Sequence, residues 1–103
     1  MPKDCSELVI CESVFNALTC VKYKKSAIAL LGTGNRYQYE QIKRLPVRKI
    51  ILGFDGDDAG DKACVRFARN VSNKLLYKYI IPRGKDINDL TEEEFNALQV
   101  VSL

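Results

Sequence analysis

The chain of 103 residues is long enough for one small domain and too short for two separate hydrophobic cores. Its composition, 47% hydrophobic and 28% charged, is typical of a folded soluble domain and excludes a mainly disordered chain. Sixteen Lys and Arg against 13 Asp and Glu give a net charge of +3, which permits a polyanionic partner without requiring one. The chain has no histidine, so catalysis or metal binding by imidazole is excluded.

The apolar stretches are too short to cross a bilayer, and the N-terminal residues contain no apolar signal region. We therefore expect a cytoplasmic protein that makes no membrane contact. The four cysteines contain no C-x-x-C pair, so we expect no zinc in this domain. Cys11, Cys20 and Cys64 lie in apolar surroundings, and we expect them to be buried free thiols.

Short apolar runs alternate with helical patterns along the first half of the chain. Residues 8–11 predict the first strand, and apolar residues at helical spacing from 14 to 21 predict the helix that follows it. Ala27–Leu31 predicts a second strand. Asn35 is the expected N-cap of a second helix, which Pro46 ends.

The same alternation continues in the second half. Arg48–Phe54 predicts a third strand, residues 59–73 a third helix, and Leu75–Ile81 a fourth strand. Thr91 and Glu94 form the capping-box pattern that begins a last helix. Strands that are apolar on both faces and separated by helices predict an α/β fold, with a parallel sheet covered by helices on both faces.

Acidic residues follow three of the four predicted strands. Glu12 follows the first strand, Asp55 and Asp57 follow the third, and Asp86 and Asp89 follow the fourth. The carboxyl ends of parallel strands share one edge of a sheet, so these side chains are expected to meet there. Asp55 and Asp57 would point the same way in an extended segment. Clustered carboxylates repel one another, and Mg²⁺ or Mn²⁺ would relieve that conflict with hard oxygen ligands.

A simpler interpretation of these acids is structural. Asp57 or Asp58 could cap the third helix, where Asp is favoured, and Asp86 and Asp89 could be solvated loop residues. A lone D-x-D pattern would not decide between the two interpretations. The occurrence of acids after three different strands favours metal binding.

The predicted metal site also predicts the order of the strands. Glu12 can meet Asp55 and Asp57 across one ion only if the first and third strands are neighbours. We therefore expect a four-stranded parallel sheet in the order 2-1-3-4, with right-handed crossovers.

The sequence resembles the TOPRIM domain, which has a Rossmann-like fold, over residues 7–98. It is most similar to the domain of bacterial DnaG-type and of phage or plasmid DNA primases. The most specific match is the run F-D-G-D-D-A-G from Phe54 to Gly60, continued by Lys62 and Ala63. Further matches are Glu12 after an apolar strand, a Gly32-Thr33 turn, and Gly84-Lys85-Asp86.

The resemblance implies a function and a set of site residues. It implies that Glu12, Asp55 and Asp57 are catalytic metal ligands, and Asp86 matches a further family acid. The implied activity is nucleotidyl transfer: RNA primer synthesis from NTPs on a single-stranded DNA template during DNA replication. The replicative helicase would be a partner through other regions of the full-length protein.

Basic residues near this edge are candidates for binding phosphates or nucleic acid. Lys62 and Lys85 lie beside the acidic residues, and Arg36 belongs to a basic stretch around the second helix. Solvated surface charge is the alternative explanation for all three.

The sequence departs from the primase pattern at two positions, because Asn16 and Asn88 stand where acids are usual. Because these replacements leave fewer negative charges at the acidic edge, the sequence predicts one principal metal site and a weak or absent second site. A primase also needs modules that 103 residues do not hold. We therefore expect residues 1–103 to form a single TOPRIM domain of a larger primase, with little or no activity alone.

Three alternatives remain. A stand-alone TOPRIM nuclease would use the same acids for phosphodiester hydrolysis. A non-catalytic module would use them for Mg²⁺ or partner binding. A phosphoacceptor domain of receiver or dehalogenase type is disfavoured, because a dehalogenase expects its D-x-D after the first strand, whereas here it follows the third.

Overall fold

The computed structural model describes residues 7–30 and 36–103. The strands in this part of the chain are β1 (Glu7–Cys11), β2 (Ala27–Ala29), β3 (Lys49–Leu52), β4 (Leu75–Tyr79) and β5 (Val100–Ser102). The α-helices are α1 (Val14–Lys22), α2 (Arg36–Lys43), α3 (Asp58–Asn70) and α4 (Glu92–Asn96), and a 3₁₀ turn covers Ile87–Asp89.

The strands form one sheet in the order β2-β1-β3-β4-β5. The first four are parallel, so the predicted order 2-1-3-4 is confirmed, with β1 and β3 as neighbours. The prediction of a four-stranded, purely parallel sheet is wrong, because β5 adds a fifth strand antiparallel to β4. The connection from β4 to β5 covers residues 80–99 and contains the 3₁₀ turn and α4, and it returns the chain to pair antiparallel with β4.

Alternating side chains of β1 divide the core into two layers, one on each face of the sheet. Leu8 and Ile10 join a cluster that includes residues of α2 and α3, such as Phe67. Val9 and Cys11 join a second cluster, with residues of α1 and α4. The period of two expected for a strand buried on both faces thus places helices on both sides, as predicted.

The apolar residues that predicted α1 do not face the core. Phe15 is 73% exposed, and the others are at least half exposed: Val14, Leu18 and Val21. The buried side of α1 carries Asn16, Ala17 and Cys20 instead. The helix is therefore where the sequence predicts it, but its small residues, and not its large apolar ones, pack against the sheet.

Several expected features agree with the structure, while others lie outside the described residues. Cys11, Cys20 and Cys64 are free and buried, as predicted. The Asn35 cap, the Gly32-Thr33 turn and Cys5 lie outside the described residues. Within residues 7–30 and 36–103, no helix has the length and apolar character needed to span a bilayer.

The capping box predicted at Thr91 is confirmed and gives a test of the local structure. Thr91 Oγ1 accepts a hydrogen bond from Glu94 N at 3.1 Å, and Glu94 Oε1 accepts one from Thr91 N at 3.0 Å. Thr91→Ala should lower the free energy of unfolding by about 1 kcal/mol, because one helix-end N–H loses its partner. Urea titration measures this loss, and Thr91→Ser should retain most of the stability. Equal losses for both variants would contradict the capping role.

Candidate metal centre

The loops that follow β3 and β4 are joined at Gly56. The N–H of Gly56 donates to the carbonyl of Lys85 at 3.0 Å, and the N–H of Gly84 donates to the carbonyl of Gly56 at 2.9 Å. A Cβ added at Gly56 would collide with the carbonyl oxygens of Pro82 and Ile81, the latter at 2.6 Å. The absence of a side chain therefore allows the two acidic loops to touch.

Glu12 and Asp55 meet where β1 and β3 end. Glu12 Oε1 accepts a hydrogen bond from the backbone N–H of Asp55 at 3.4 Å. Burial raises the pKa of Glu12, and the charges of Asp55 and Asp57 add to the increase, while this hydrogen bond and Arg66 oppose it. The carboxylate of Glu12 is thus held close to other negative charges.

The carboxylate of Asp55 lies within electrostatic range of the acids on both loops. Burial raises the pKa of Asp55, and the charges of Asp86, Asp57 and Asp89 raise it further. The three acidic segments predicted from the sequence therefore influence one another at a single edge. Their mutual repulsion is the electrostatic conflict that a cation would relieve.

Asp57 has a structural role as well. Its side chain caps α3 by accepting a hydrogen bond from Gly60 N at 2.7 Å, as the simpler interpretation proposed. The backbone between Asp55 and Asp57 is not extended, because Asp57 N donates to Asp55 O at 2.9 Å and closes a tight turn. The prediction that Asp55 and Asp57 point the same way because their segment is extended is therefore wrong. The cap uses one of the two oxygens of Asp57, and Asp58 instead pairs with Arg83 at 2.7 Å.

Asp86 and Asp89 hold the 3₁₀ turn after β4 by reciprocal hydrogen bonds. Asp86 Oδ1 accepts from Asp89 N, and Asp89 Oδ2 accepts from Asp86 N, both at 3.1 Å. This turn presents Asp86 towards Asp55, whose pKa the charge of Asp86 raises.

Asn16 connects α1 to the two acidic loops. Its side chain is polar but buried, with only 2% of its surface exposed. Asn16 Nδ2 donates to Asp55 Oδ1 at 3.5 Å, and Asn16 Oδ1 accepts from the backbone N–H of Asn88 at 3.0 Å. Thr19 Oγ1 donates to Asn88 Oδ1 at 2.7 Å. The sequence marks Asn16 and Asn88 as departures from an acidic pattern, but it does not reveal that they are bonded to each other.

The basic candidates lie on the surface of the domain. Lys62, Lys85 and Arg36 are all exposed, and Arg36 is the first residue of α2. Lys62 lines an open depression of about 560 Å³ on the outer side of α3, together with Arg66 and Arg69. The backbone of Lys85 contacts Gly56, so this residue lies at the acidic loops themselves.

The side chains are not arranged as a finished set of metal ligands. Across residues 7–30 and 36–103, no three Cys, Asp or Glu side chains converge tightly enough to hold an ion. The donors nevertheless suit a hard divalent cation, because all are carboxylate oxygens, and the charged forms of Glu12 and Asp55 are destabilised by burial and by neighbouring charge. Binding an ion here would require rotation of these side chains.

Comparison with known proteins shows that the chain is similar in sequence to DNA primases. Residues 9–91 match the family model described as Toprim-like. The chain is 37% identical over 87 residues to the DNA primase of Campylobacter jejuni and 31% identical over 100 residues to that of Pseudomonas aeruginosa. These matches cover 82% and 89% of this chain, but only 14% and 15% of the two primases.

Solved primase structures have the same fold. A DNA primase domain from Pseudomonas aeruginosa aligns with a TM-score of 0.81 and 25% identity, over 97% of this chain and 35% of that one. An Aquifex aeolicus primase containing zinc-binding and RNA polymerase domains aligns with a TM-score of 0.77 and 21% identity, over 93% of this chain and 27% of that one. Because the Toprim-like model spans most of its length, the chain belongs to the Toprim-like family and has DNA primases among its homologues.

Proposed function

We propose that the chain is the metal-binding catalytic domain of a DNA primase, which acts in the cytoplasm during DNA replication. The observation that carries the proposal is the meeting of Glu12 and Asp55 at the ends of β1 and β3, beside the Asp57 and Asp86 loops. The substrates would be NTPs and a single-stranded DNA template. A replicative helicase would bind other regions of the full-length protein.

Each group at the edge has a defined task in this proposal. Glu12, Asp55 and Asp57, with Asp86 beside them, would hold Mg²⁺ or Mn²⁺. The bound cation would neutralise the charge of the triphosphate and stabilise the departing pyrophosphate. Lys62 and Lys85 would bind phosphate oxygens, and Arg36 would contact the nucleic-acid backbone. Asn16 would keep the carboxylate of Asp55 in place through its amide group.

A chimera tests the activity directly. The chain would replace the matching segment of the Pseudomonas aeruginosa primase, whose domain has the same fold. We expect the chimera to make RNA primers with Mg²⁺, NTPs and single-stranded DNA, and the same chimera carrying Asp55→Asn to make none. A matched Asp61→Asn chimera should remain active, because Asp61 lies on α3 and pairs with Arg83.

The alternative activities appear as distinct outcomes. A folded chimera without primer synthesis, together with metal-dependent cleavage of DNA by the chain alone, would favour a nuclease. A folded chimera that binds Mn²⁺ but neither makes primers nor cleaves DNA would favour a non-catalytic module. Circular dichroism of each chimera establishes whether it is folded.

The two asparagines give a test of metal number. Asn16→Asp with Asn88→Asp should tighten the binding of a second Mn²⁺, at least about tenfold, because each change adds a negative charge near Asp55. Without metal, the double variant should be less stable, since Asn16 would no longer donate to Asp55 Oδ1. Isothermal titration calorimetry measures the two binding steps.

Asn96→Asp is the matched control for these changes, because Asn96 is exposed on α4. It adds one negative charge, as each of the two changes does, but away from the acidic edge, and it should leave Mn²⁺ binding unchanged. If the unmodified chain already binds two ions with similar affinity, the interpretation of Asn16 and Asn88 is wrong.

A further inference from the structure

Two buried cysteines lie side by side between β1 and α1. Cys11 is the last residue of β1, and Cys20 lies on the buried side of α1. Both are 0% exposed, and their Sγ atoms are 3.8 Å apart, close enough for a hydrogen bond between the thiols. Cys64 belongs to the core cluster on the other face of the sheet. Among the three cysteines that the structure describes, the fold therefore brings Cys11 and Cys20 together as a pair.

The separation is short enough for the two sulfurs to bond after a small movement. A disulfide needs a sulfur–sulfur distance of about 2.05 Å, so the atoms must approach by about 1.8 Å. β1 is restrained by its neighbours, because Leu30 N donates to Cys11 O at 2.7 Å and Gly53 N donates to Ile10 O at 2.8 Å. The movement would therefore come mainly from Cys20 and α1.

We propose that Cys11 and Cys20 are a reversible disulfide-forming pair, oxidised by hydroperoxides such as hydrogen peroxide. This proposal does not depend on the primase function. The bond would fasten α1, which carries Asn16, to the strand that ends beside Glu12. The redox state of the pair would thus act on the helix that supports the acidic edge.

The chemistry is a two-electron oxidation of the two thiols. The Cys20 sulfur attacks one oxygen of the peroxide, the O–O bond breaks, and the released hydroxide takes the thiol proton to form water. The Cys11 sulfur then attacks the sulfenic sulfur of Cys20, the S–O bond breaks, and the hydroxyl group leaves with the Cys11 proton as a second water. The hydrogen bond between the two thiols lowers the pKa of Cys20, which favours Cys20 as the first nucleophile.

Peptide mapping of the folded chain tests the pair. The chain is treated with hydrogen peroxide, free thiols are blocked with N-ethylmaleimide, and the protein is digested with trypsin and a Glu-specific protease. Cleavage after Glu7, Glu12 and Lys22 separates the peptides that contain Cys5, Cys11 and Cys20. We expect residues 8–12 linked to residues 13–22, with a mass lower by two hydrogen atoms, and full reversal by dithiothreitol.

Matched samples make the result decisive. Cys64→Ser should form the same link at the same rate, and the urea-unfolded chain should give mixed pairs that include Cys5. Oxidation must await local opening of α1, because both sulfurs are shielded, so low urea should accelerate formation of the native link. No link in the folded chain, a link to Cys5 or Cys64, or sulfinic acid at Cys11 or Cys20 would each overturn the proposal.

Discussion

Gly56→Ala is expected to destabilise the fold by about 3 kcal/mol and to abolish the stabilising effect of divalent cations. An added Cβ would collide with the carbonyl oxygens of Ile81 and Pro82, which are backbone atoms and cannot rotate away. Relief of the collision would separate the loops and break the hydrogen bonds that Gly56 makes with Lys85 and Gly84. Urea unfolding, with and without Mn²⁺, measures both effects.

Gly84→Ala is the matched control in the neighbouring loop. Gly84 has a φ of +80° but no atom within 4 Å of an added Cβ, so its substitution costs only backbone strain. A loss of about 1 kcal/mol is expected for this variant, with the response to Mn²⁺ retained. Equal losses for the two variants would show that loop contact at Gly56 is not what limits stability.

Asp55→Asn with Asp57→Asn should remove the thermal stabilisation by Mg²⁺ or Mn²⁺. An ion that binds only the folded state at a hundredfold excess over Kd adds about 2.7 kcal/mol, which corresponds to about 12 °C in Tm for a domain of this size. Asparagine is also a good N-cap, so the hydrogen bond between residue 57 and Gly60 N should survive. Thermal melts across a series of cation concentrations provide the measurement.

The same double variant should be more stable than the unmodified chain when no cation is present. Burial and neighbouring acids raise the pKa of Asp55, so its charged form destabilises the metal-free fold at neutral pH. Asp61→Asn is the control, because it removes one charge from α3 without touching the acidic edge. An unchanged midpoint of the unmodified chain at tens of millimolar cation would mean that the acids serve only as caps and loop charges.

The order of the first four strands can be predicted from the sequence because it depends mainly on local sequence patterns. Apolar runs that lack alternation indicate strands buried on both faces, and the acids that follow them require β1 and β3 to be adjacent. The cap at Thr91 depends on residues three apart in the sequence, and its pattern is therefore visible without any tertiary information.

The features that the sequence does not reveal depend on distant partners. β5 is a short strand of half-exposed residues whose pairing with β4 is decided across the sheet. The inward side of α1 carries Asn16, which donates a hydrogen bond to Asp55 and accepts one from the backbone of Asn88, and these partners lie 39 and 72 residues away. Asp57 caps α3, and its charge also raises the pKa of Glu12. From the sequence alone, helix capping and membership of the acidic cluster are alternative interpretations of this residue.

The small strand β5 also covers the edge of the sheet that β4 would otherwise expose. Ile80 N donates to Gln99 O at 2.9 Å and Leu103 N donates to Leu76 O at 3.0 Å, so the outer backbone of β4 is hydrogen-bonded within the chain. A bare β4 would offer its N–H and carbonyl groups to the same strand of another molecule, which is the usual route to aggregation through sheet edges. Residues 99–103 therefore protect the domain against intermolecular strand pairing, and a version shortened to Leu98 should precipitate at concentrations that the full chain tolerates.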